Sequence, residues 1–309
     1  MKLASFYQAL VPFAALAYTS ATFAIGDTPE TLDEMYNKEI SQDVVDTVFD
    51  ALPEGVVNAD YINPNYDGYL QVLEGTTVSV SFINEGAGFR NSTGYFTFTD
   101  NSFDGLNKSS IDTNSNGTVS LTELKNVSGV DFGWLFPNTS AELSGGVLQR
   151  GDTIDVNFDQ SSNLGFFLAP NAWNGNTVQG GIIQGNAGLV YYSLDFLNPE
   201  SYKTADMLGS VDAPDWVPDS LGYSDDGAFT HTAMILTDTG NSDVVLGFED
   251  LQWGGDKDYN DAVFLVTASL PDGFGGSNIA TAPVPTLSGG LFGLLGTIGV
   301  LMGGRRRKA

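Results

Sequence analysis

The chain has 309 residues, no cysteine and one histidine, and its 38 acidic residues against 12 basic ones give a formal net charge of −26. The lack of cysteine excludes disulfide bonds and, with one histidine, argues against a zinc site. So acidic a chain also argues against nucleic acid as a partner, because binding to phosphates requires cationic side chains. The acidic excess favours the attraction of divalent cations, or reflects a saline or extracellular setting.

Residues 1–24 have the three regions of a secretory signal peptide. Lys2 supplies the early positive charge, residues 9–18 form a short apolar core, and small residues precede the expected cleavage site after Ala24. The alternative is an N-terminal membrane anchor, for which the apolar run is short. The sequence therefore predicts that the chain is exported.

A helical leader is expected over residues 25–54, in front of the main domain. Apolar residues between Thr31 and Ala51 recur at spacings near 3.6, which predicts a helix there. The helix is expected to end at Pro53–Gly55, because proline and glycine interrupt helices.

Residues 55–270 are expected to form one all-β domain. Runs rich in β-branched and aromatic residues predict strands over residues 70–83, 95–98, 152–158, 164–169, 189–196, 229–236, 244–248 and 262–270. Strands and helices do not alternate regularly, which argues against a parallel α/β fold. A β-sandwich of about eight to ten strands, similar to a jelly roll, fits best. Ser201–Asp226 is then a long surface loop.

Residues 112–123, DTNSNGTVSLTE, have the D-x-[DN]-x-[DN]-G-x5-E spacing of an EF-hand calcium loop. Ca²⁺ takes about six to eight oxygen ligands, and this spacing points them toward one centre. The predicted ligands are the side chains of Asp112, Asn114, Asn116, Ser120 and Glu123 and the carbonyl of Thr118. A short helix is expected after the loop. The motif has no second copy, which favours a static structural ion over a calcium sensor, and the alternative is an Asn/Gly turn between strands.

A second acidic loop, residues 249–261, separates the last two predicted strands. Its clustered acids repel one another unless a cation lies among them, which predicts a second Ca²⁺ site. The predicted ligands are Glu249, Asp250, Asp256, Asp258, Asn260 and Asp261. Lys257 alternates with the acids and is expected to point away from them. The alternatives are a solvated hairpin, or a mixed arrangement in which Asp256 and Asp261 accept hydrogen bonds from backbone amides while the others bind the ion.

The C-terminal end has the layout of a sorting signal, after a Gly-rich linker at residues 271–283. In residues 284–309, an apolar run at 287–302 approaches a membrane span, and the cations Arg305–Lys308 hold its end on the cytoplasmic side. The layout resembles the PEP-CTERM signals, with Val284–Leu287 where that class has Pro-Glu-Pro. The resemblance implies cutting by an exosortase and release to the cell surface or matrix. The alternative is a plain membrane anchor.

Residues 247–264, GFEDLQWGGDKDYNDAVF, resemble the C-terminal signature of the bacterial domain of unknown function 4114 family. Further similarity spreads the resemblance over roughly residues 55 to 268, in the segments 78–98, 136–138, 165–169 and 171–175. The resemblance implies an extracellular β-sandwich of a kind found beside sorting signals, with calcium at the acidic signature. It implies no activity, and the EF-hand-like loop is additional to the family pattern.

The sequence contains no recognisable catalytic constellation. His231 is the single histidine and lies in a predicted strand, and the motifs of serine hydrolases, metalloproteases and phosphate-binding loops are missing. A glycoside hydrolase or lyase needs only two carboxylates and stays the weaker alternative, since these acids cluster with calcium spacing. The chain is therefore expected not to be an enzyme.

Two tryptophans suggest a different binding function. Trp173 and Trp253 lie beside turn-forming residues, where they are candidates for stacking on sugars in a carbohydrate-binding module for exopolysaccharide, or they cap the ends of the sandwich. The function expected first is an exported calcium-binding β-sandwich with a structural or adhesive role at the cell surface or in the matrix. Membrane contact is expected only through the C-terminal segment.

Overall fold

Two β-sheets packed face to face form the centre of the computed structural model, and short helices lie on their outer faces. The structure describes residues 35–56, 66–178, 182–183, 186–187, 189–199, 230–238, 240–252 and 255–281. The predicted signal peptide, the sorting segment and the loop at Ser201–Asp226 lie outside these residues. The prediction of a mainly β fold with two packed sheets is confirmed, and the jelly-roll connectivity stays a prediction.

The strands and helices of the described residues have the following bounds. The strands are β1 (Tyr36–Asn37), β2 (Leu70–Val72), β3 (Thr76–Asn84), β4 (Ser92–Phe98), β5 (Asp131–Phe136), β6 (Asp152–Phe158), β7 (Ser162–Ala169), β8 (Ile182–Ile183), β9 (Asn186–Ala187), β10 (Tyr191–Tyr192), β11 (Thr232–Leu236), β12 (Asp243–Phe248), β13 (Ala262–Ala268) and β14 (Ala280–Thr281). The helices are α1 (Gln42–Ala51), α2 (Lys108–Ile111) and α3 (Leu121–Lys125), with 3₁₀ turns at Glu142–Ser144 and Asp195–Leu197.

The larger sheet has the strand order β1-β6-β3-β13-β12-β11-β14, and only its β11–β14 pair is parallel among the pairs described. The smaller sheet has the order β10-β7-β4-β5, with β2 also paired to β7. Strands β8 and β9 pair separately. Strands β11, β12 and β13 form an antiparallel meander, so the second acidic loop leaves the end of the larger sheet between β12 and β13.

Apolar side chains from both sheets fill the space between them. In β3, the alternation of side chains places Val78, Val80 and Phe82 on this inner face. The rings of Phe136 and Phe264 stack across the interface, with their centroids 5.5 Å apart. The two sheets therefore form one packed base for the loops at their ends.

Helix α1 covers the outer face of the larger sheet. Its N-terminus is capped by Ser41, whose hydroxyl accepts a hydrogen bond from the amide of Val44 at 3.4 Å. Its apolar side packs through Val48 and Ala51 into a separate cluster that contains Val245 of β12. The burial of this face fixes the end of the leader beside the larger sheet.

Helices α2 and α3 cover the outer face of the smaller sheet. Ile111, Leu121 and Leu124 pack into a third apolar cluster with Phe132 of β5 and Phe167 of β7. The connection from β4 to β5 is therefore anchored to the sheet at both of its helices. The segment that the sequence predicts to bind calcium, residues 112–123, follows α2 directly and ends within α3.

Several elements differ from the prediction. No predicted strand covers β5, and the predicted linker at 271–283 contributes β14 to the larger sheet and buries Phe274 in the core. The leader is helical only from Gln42, and Tyr36–Asn37 instead pair with β6, because the cap at Ser41 sets the start of the helix. The predicted strand at 189–196 is a strand only at β10. There, the side chain of Asn198 binds both the amide (2.7 Å) and the carbonyl (3.0 Å) of Tyr192 and turns the chain.

Candidate metal centres

Asp112 opens the EF-hand-like loop and is buried. Its Oδ1 accepts a hydrogen bond from the amide of Asn116 at 3.1 Å, and its Oδ2 accepts one from Gly117 at 2.7 Å. The loop turns back on itself at Gly117, whose φ of 86° lies in the region that favours glycine. The turn that the motif requires at this position is therefore present.

Glu123 closes the loop and is also buried. Its Oε1 accepts hydrogen bonds from the amide and hydroxyl of Thr113 (2.9 and 3.0 Å) and from the amide of Asn114 (3.2 Å). Its Oε2 accepts from the amide and hydroxyl of Ser120 (3.0 and 2.8 Å). Burial raises the pKa of Glu123, but the hydrogen bonds outweigh it and hold the pKa below its ordinary value. The carboxylate is thus ionised at neutral pH, as a metal ligand must be.

The neutral ligands predicted for this loop take part in its local hydrogen bonds. Asn114 Oδ1 accepts from the Asn116 amide at 3.0 Å, and Asn116 Oδ1 accepts from the amide and hydroxyl of Thr118 at 2.9 and 2.7 Å. Ser120 caps α3 by accepting from the amide of Glu123 at 3.2 Å. The structure therefore brings all of the predicted ligand residues into one ordered loop.

A buried tyrosine ties this loop to the sandwich. The hydroxyl of Tyr192 donates to the carbonyl of Val119 at 2.8 Å, and both residues lie in the apolar cluster on the smaller sheet. Burial and then the charge of Glu123 raise the pKa of Tyr192 well above its ordinary value, so the hydroxyl keeps its proton. On the other side of the loop, Lys108 of α2 donates to the carbonyl of Pro199 at 2.7 Å.

The second acidic loop meets the end of the leader. Asp258 Oδ2 accepts hydrogen bonds from the amide of Gly55 (2.7 Å) and from Asn260 Nδ2 (2.9 Å), and Asn260 Nδ2 also donates to Glu54 Oε2 at 3.0 Å. One carboxylate oxygen each from Glu54, Asp256 and Asp258 lies within 4.8 Å of the others. Glu54 was not among the predicted ligands. It lies far from the others along the chain, and no local motif marks it.

Glu249 lies deeper, at the end of β12, and is 1% exposed. Its Oε1 accepts from the amide of Tyr259 at 3.0 Å, whereas its Oε2 has no hydrogen-bond partner. A Cβ on Gly255 would collide with Oε2, and the positive φ of Gly255 (48°) also favours glycine there. Burial and then the charge of Asp261 raise the pKa of Glu249 to about 9.

Lys257 was expected to point away from the acids, but it interacts with one of them, Glu249. Lys257 is 6% exposed, and its backbone has a φ of 61°. Burial lowers the pKa of Lys257, and the charge of Glu249 raises it, so the two groups interact. The orientation predicted from the alternation of charges is wrong, because a residue in the left-handed region breaks the alternation of side chains along a strand.

Asp250 and Asp261 contact each other in the interior of the same loop. Asp261 Oδ2 accepts from the amide of Asp250 at 2.8 Å, the backbone contact expected of Asp261 in the mixed arrangement. Asp250 Oδ2 accepts from Asn91 at 2.8 Å. Burial and then the charge of Asp250 raise the pKa of Asp261 to about 7. The predicted ligands thus divide into an outer group near Glu54 and an inner group of Glu249, Asp250 and Asp261.

The single histidine is a packed residue beside this inner group. His231 is fully buried, stacks on the ring of Tyr191 at a centroid distance of 3.7 Å, and places Nδ1 3.3 Å from the carbonyl of Glu249. Trp173 is half-buried against the cluster on the smaller sheet, and Trp253 lies outside the described residues. The two alternatives for these tryptophans, sugar stacking and end capping, stay predictions.

The comparisons with known proteins bear on one part of the chain. No curated protein and no solved structure matches the chain. Residues 158–269 match the family described as Domain of unknown function (DUF4114). The match contains the second acidic loop but neither Glu54 nor the EF-hand-like loop. The resemblance expected over roughly residues 55 to 268 is thus confirmed for its C-terminal part, and residues 158–269 form a DUF4114 domain.

Proposed function

We propose that the protein is an exported calcium-binding β-sandwich whose ion is structural, with a structural or adhesive role at the cell surface or in the extracellular matrix. The observation that carries the proposal is the EF-hand-like loop. Asp112 and Glu123 are buried at its two ends, and the loop folds around both carboxylates. An Asn/Gly turn between strands needs no buried, ionised carboxylate at its far end.

The surroundings of the loop favour a fixed ion over a regulatory one. Its apolar neighbours Ile111, Val119 and Leu121 are buried in the cluster on the smaller sheet, and Tyr192 holds the carbonyl of Val119. A loop held by these contacts has little freedom to open. Its ion-binding energy therefore adds to the stability of the whole sandwich, because the unfolded chain lacks the site.

Export and surface attachment are proposed from the two ends of the chain, which lie outside the described residues. The N-terminal segment has the layout of a signal peptide, and the C-terminal segment that of a substrate for an exosortase. Among the described residues, no helix is long and apolar enough to cross a membrane.

Calcium titration by calorimetry tests the proposal. The full-length chain in mild detergent, first stripped with chelator, is compared with Glu123→Gln and with Glu74→Gln. Glu74 is an exposed acid in the turn after β2 and provides a control with the same change of charge. We expect the wild type and Glu74→Gln to bind Ca²⁺ and Glu123→Gln to lose one site. A wild-type chain that takes up no ion from millimolar Ca²⁺ would contradict the proposal.

A further inference from the structure

We infer that Glu54, Asp256 and Asp258 form a cation site that fastens the C-terminal end of the leader to the second acidic loop. We call this site the leader clasp. The leader clasp rests on the proposed function because it also binds Ca²⁺, but it uses none of the residues of the EF-hand-like loop. Glu54 lies outside the DUF4114 match, so the clasp joins a segment beyond that match to its acidic loop.

The first support is distance. The ligand oxygens of Ca²⁺ lie about 2.3–2.6 Å from the ion, so two oxygens on one ion are at most about 5 Å apart. The carboxylate oxygens of Glu54, Asp256 and Asp258 meet this limit, since all lie within 4.8 Å of one another. Asp256 and Glu54 are exposed, which leaves a path for the ion and room for water ligands.

The second support is a buried carboxylate in the same loop. Glu249 is 1% exposed, its Oε2 has no hydrogen-bond partner, and this oxygen packs against Gly255, which precedes Asp256. The charges of Asp256 and Asp258 both act on it. A buried oxygen without a hydrogen-bond partner is unfavourable, and a divalent ion in the clasp would bring a positive charge to this carboxyl group and its acidic neighbours.

The third support is the balance of charge. Lys257 is the only lysine or arginine in residues 249–261, and it interacts with Glu249. One lysine does not neutralise the acids gathered here, which are Glu54, Glu249, Asp250, Asp256, Asp258 and Asp261. A hard divalent ion bound by the outer carboxylates lowers this repulsion at the point where the leader meets the loop.

The clasp has a mechanical consequence for the leader. Glu54 follows α1, whose residues Val48 and Ala51 cover the outer face of the larger sheet, and β1 pairs with β6. An ion bound at Glu54 adds one more contact that keeps the C-terminal end of α1 packed on the larger sheet. Calcium therefore lowers the frequency with which the leader detaches and exposes that apolar face.

Hydrogen exchange with calcium titration tests the clasp. Full-length wild type, Glu54→Gln, Asp256→Asn, Glu123→Gln and the control Glu39→Gln, an exposed acid of the leader, are compared with Ca²⁺ and with chelator. At Ca²⁺ of about ten times Kd, we expect the α1 amides of the wild type to exchange about tenfold more slowly than in chelator. Glu54→Gln and Asp256→Asn lose this protection and one bound ion. Glu39→Gln and Glu123→Gln keep the protection.

The outcomes separate the clasp from the proposed function. Unchanged stoichiometry and α1 exchange in Glu54→Gln and Asp256→Asn overturn the clasp, even where Glu123→Gln still loses an ion. A wild type that binds no Ca²⁺ overturns both. If Glu54→Gln does not fold, Asp256→Asn, altered in an exposed side chain, decides the matter alone.

Discussion

The two acidic loops use similar residues and have opposite electrostatics. In the EF-hand-like loop, amides and hydroxyls surround Glu123 and hold its pKa below the ordinary value. In the second acidic loop, burial and the neighbouring acids raise the pKa of Glu249 and Asp261. In the first loop, hydrogen bonds stabilise the charge of Glu123, whereas in the second loop the neighbouring carboxylates repel one another. Composition alone does not separate these cases, because the difference lies in where the backbone amides point.

A bound calcium ion should affect the two loops in different ways. In the EF-hand-like loop, an ion adds to a loop that is already ordered by hydrogen bonds. In the second loop, an ion relieves a repulsion that otherwise works against folding. Changes at the two loops should therefore differ in their dependence on Ca²⁺ and on pH.

Removal of Ca²⁺ should have the largest effect, because it acts on both loops at once. An ion held at about 100 times its Kd contributes about 2.7 kcal/mol, which corresponds to roughly 5–10 °C in melting temperature for a domain of this size. We expect scanning calorimetry to show a drop of at least this size with chelator, and recovery with Ca²⁺ but not with equal Mg²⁺. Identical melting curves with and without chelator would remove the role of the ion in both loops.

Glu123→Gln should have the next largest effect, confined to the EF-hand-like loop. Hydrogen bonds to a charged group contribute about 1.5–3 kcal/mol each, so part of the loss should persist in chelator. The pKa of Glu123 is lowered, so its contribution is present above its ordinary pKa near 4.5 and is lost as the pH falls through the folded value. Urea unfolding in chelator should show a deficit at pH 7 that shrinks in acid. A deficit independent of pH would show that the charge is not the cause.

Glu249→Gln should have the opposite sign in chelator. The pKa of Glu249 is raised from 4.5 to about 9, so the folded state binds more protons than the unfolded state and stability falls as the pH rises through this range. The glutamine keeps the acceptor for Tyr259 and does not titrate. We expect the variant to be more stable than the wild type at pH 8 in chelator, with the gain vanishing near pH 4. A wild type whose stability does not fall over this pH range would contradict the inferred repulsion between Glu249 and its acidic neighbours.

Much of the fold could be predicted from the sequence, because strands with a buried face carry a local pattern. The predicted bounds 152–158 coincide with β6, where polar and apolar residues alternate. Strand β5 was missed, because DFGWLF is buried over almost its whole length and lacks alternation. The leader helix was predicted too long, since the pairing of Tyr36–Asn37 with β6 is a tertiary contact that local periodicity does not contain.

At the candidate sites, too, local patterns could be predicted from the sequence and tertiary contacts could not. The candidate ligands of the EF-hand-like loop could be named from the sequence because all lie within residues 112–123, where spacing encodes geometry. Glu54 was missed because the docking of α1 brings it to Asn260, 206 residues away. The side chain of Lys257 was misplaced because its left-handed backbone is not visible as a pattern of residue types.

Tyr192→Phe should have the smallest effect and tests whether the EF-hand-like loop is coupled to the sandwich. The change removes the hydrogen bond to the carbonyl of Val119 and leaves that buried acceptor unpaired, at a cost of about 1–3 kcal/mol. If the loop acts as a fixed support, part of this cost should appear as weaker Ca²⁺ binding, by less than about tenfold. Calcium titration and urea unfolding measure the two parts, with the exposed Tyr66→Phe as control. A variant with reduced stability but unchanged affinity would show that the ion acts on its loop alone, whereas a loss in both would show that it stabilises the sandwich through Tyr192.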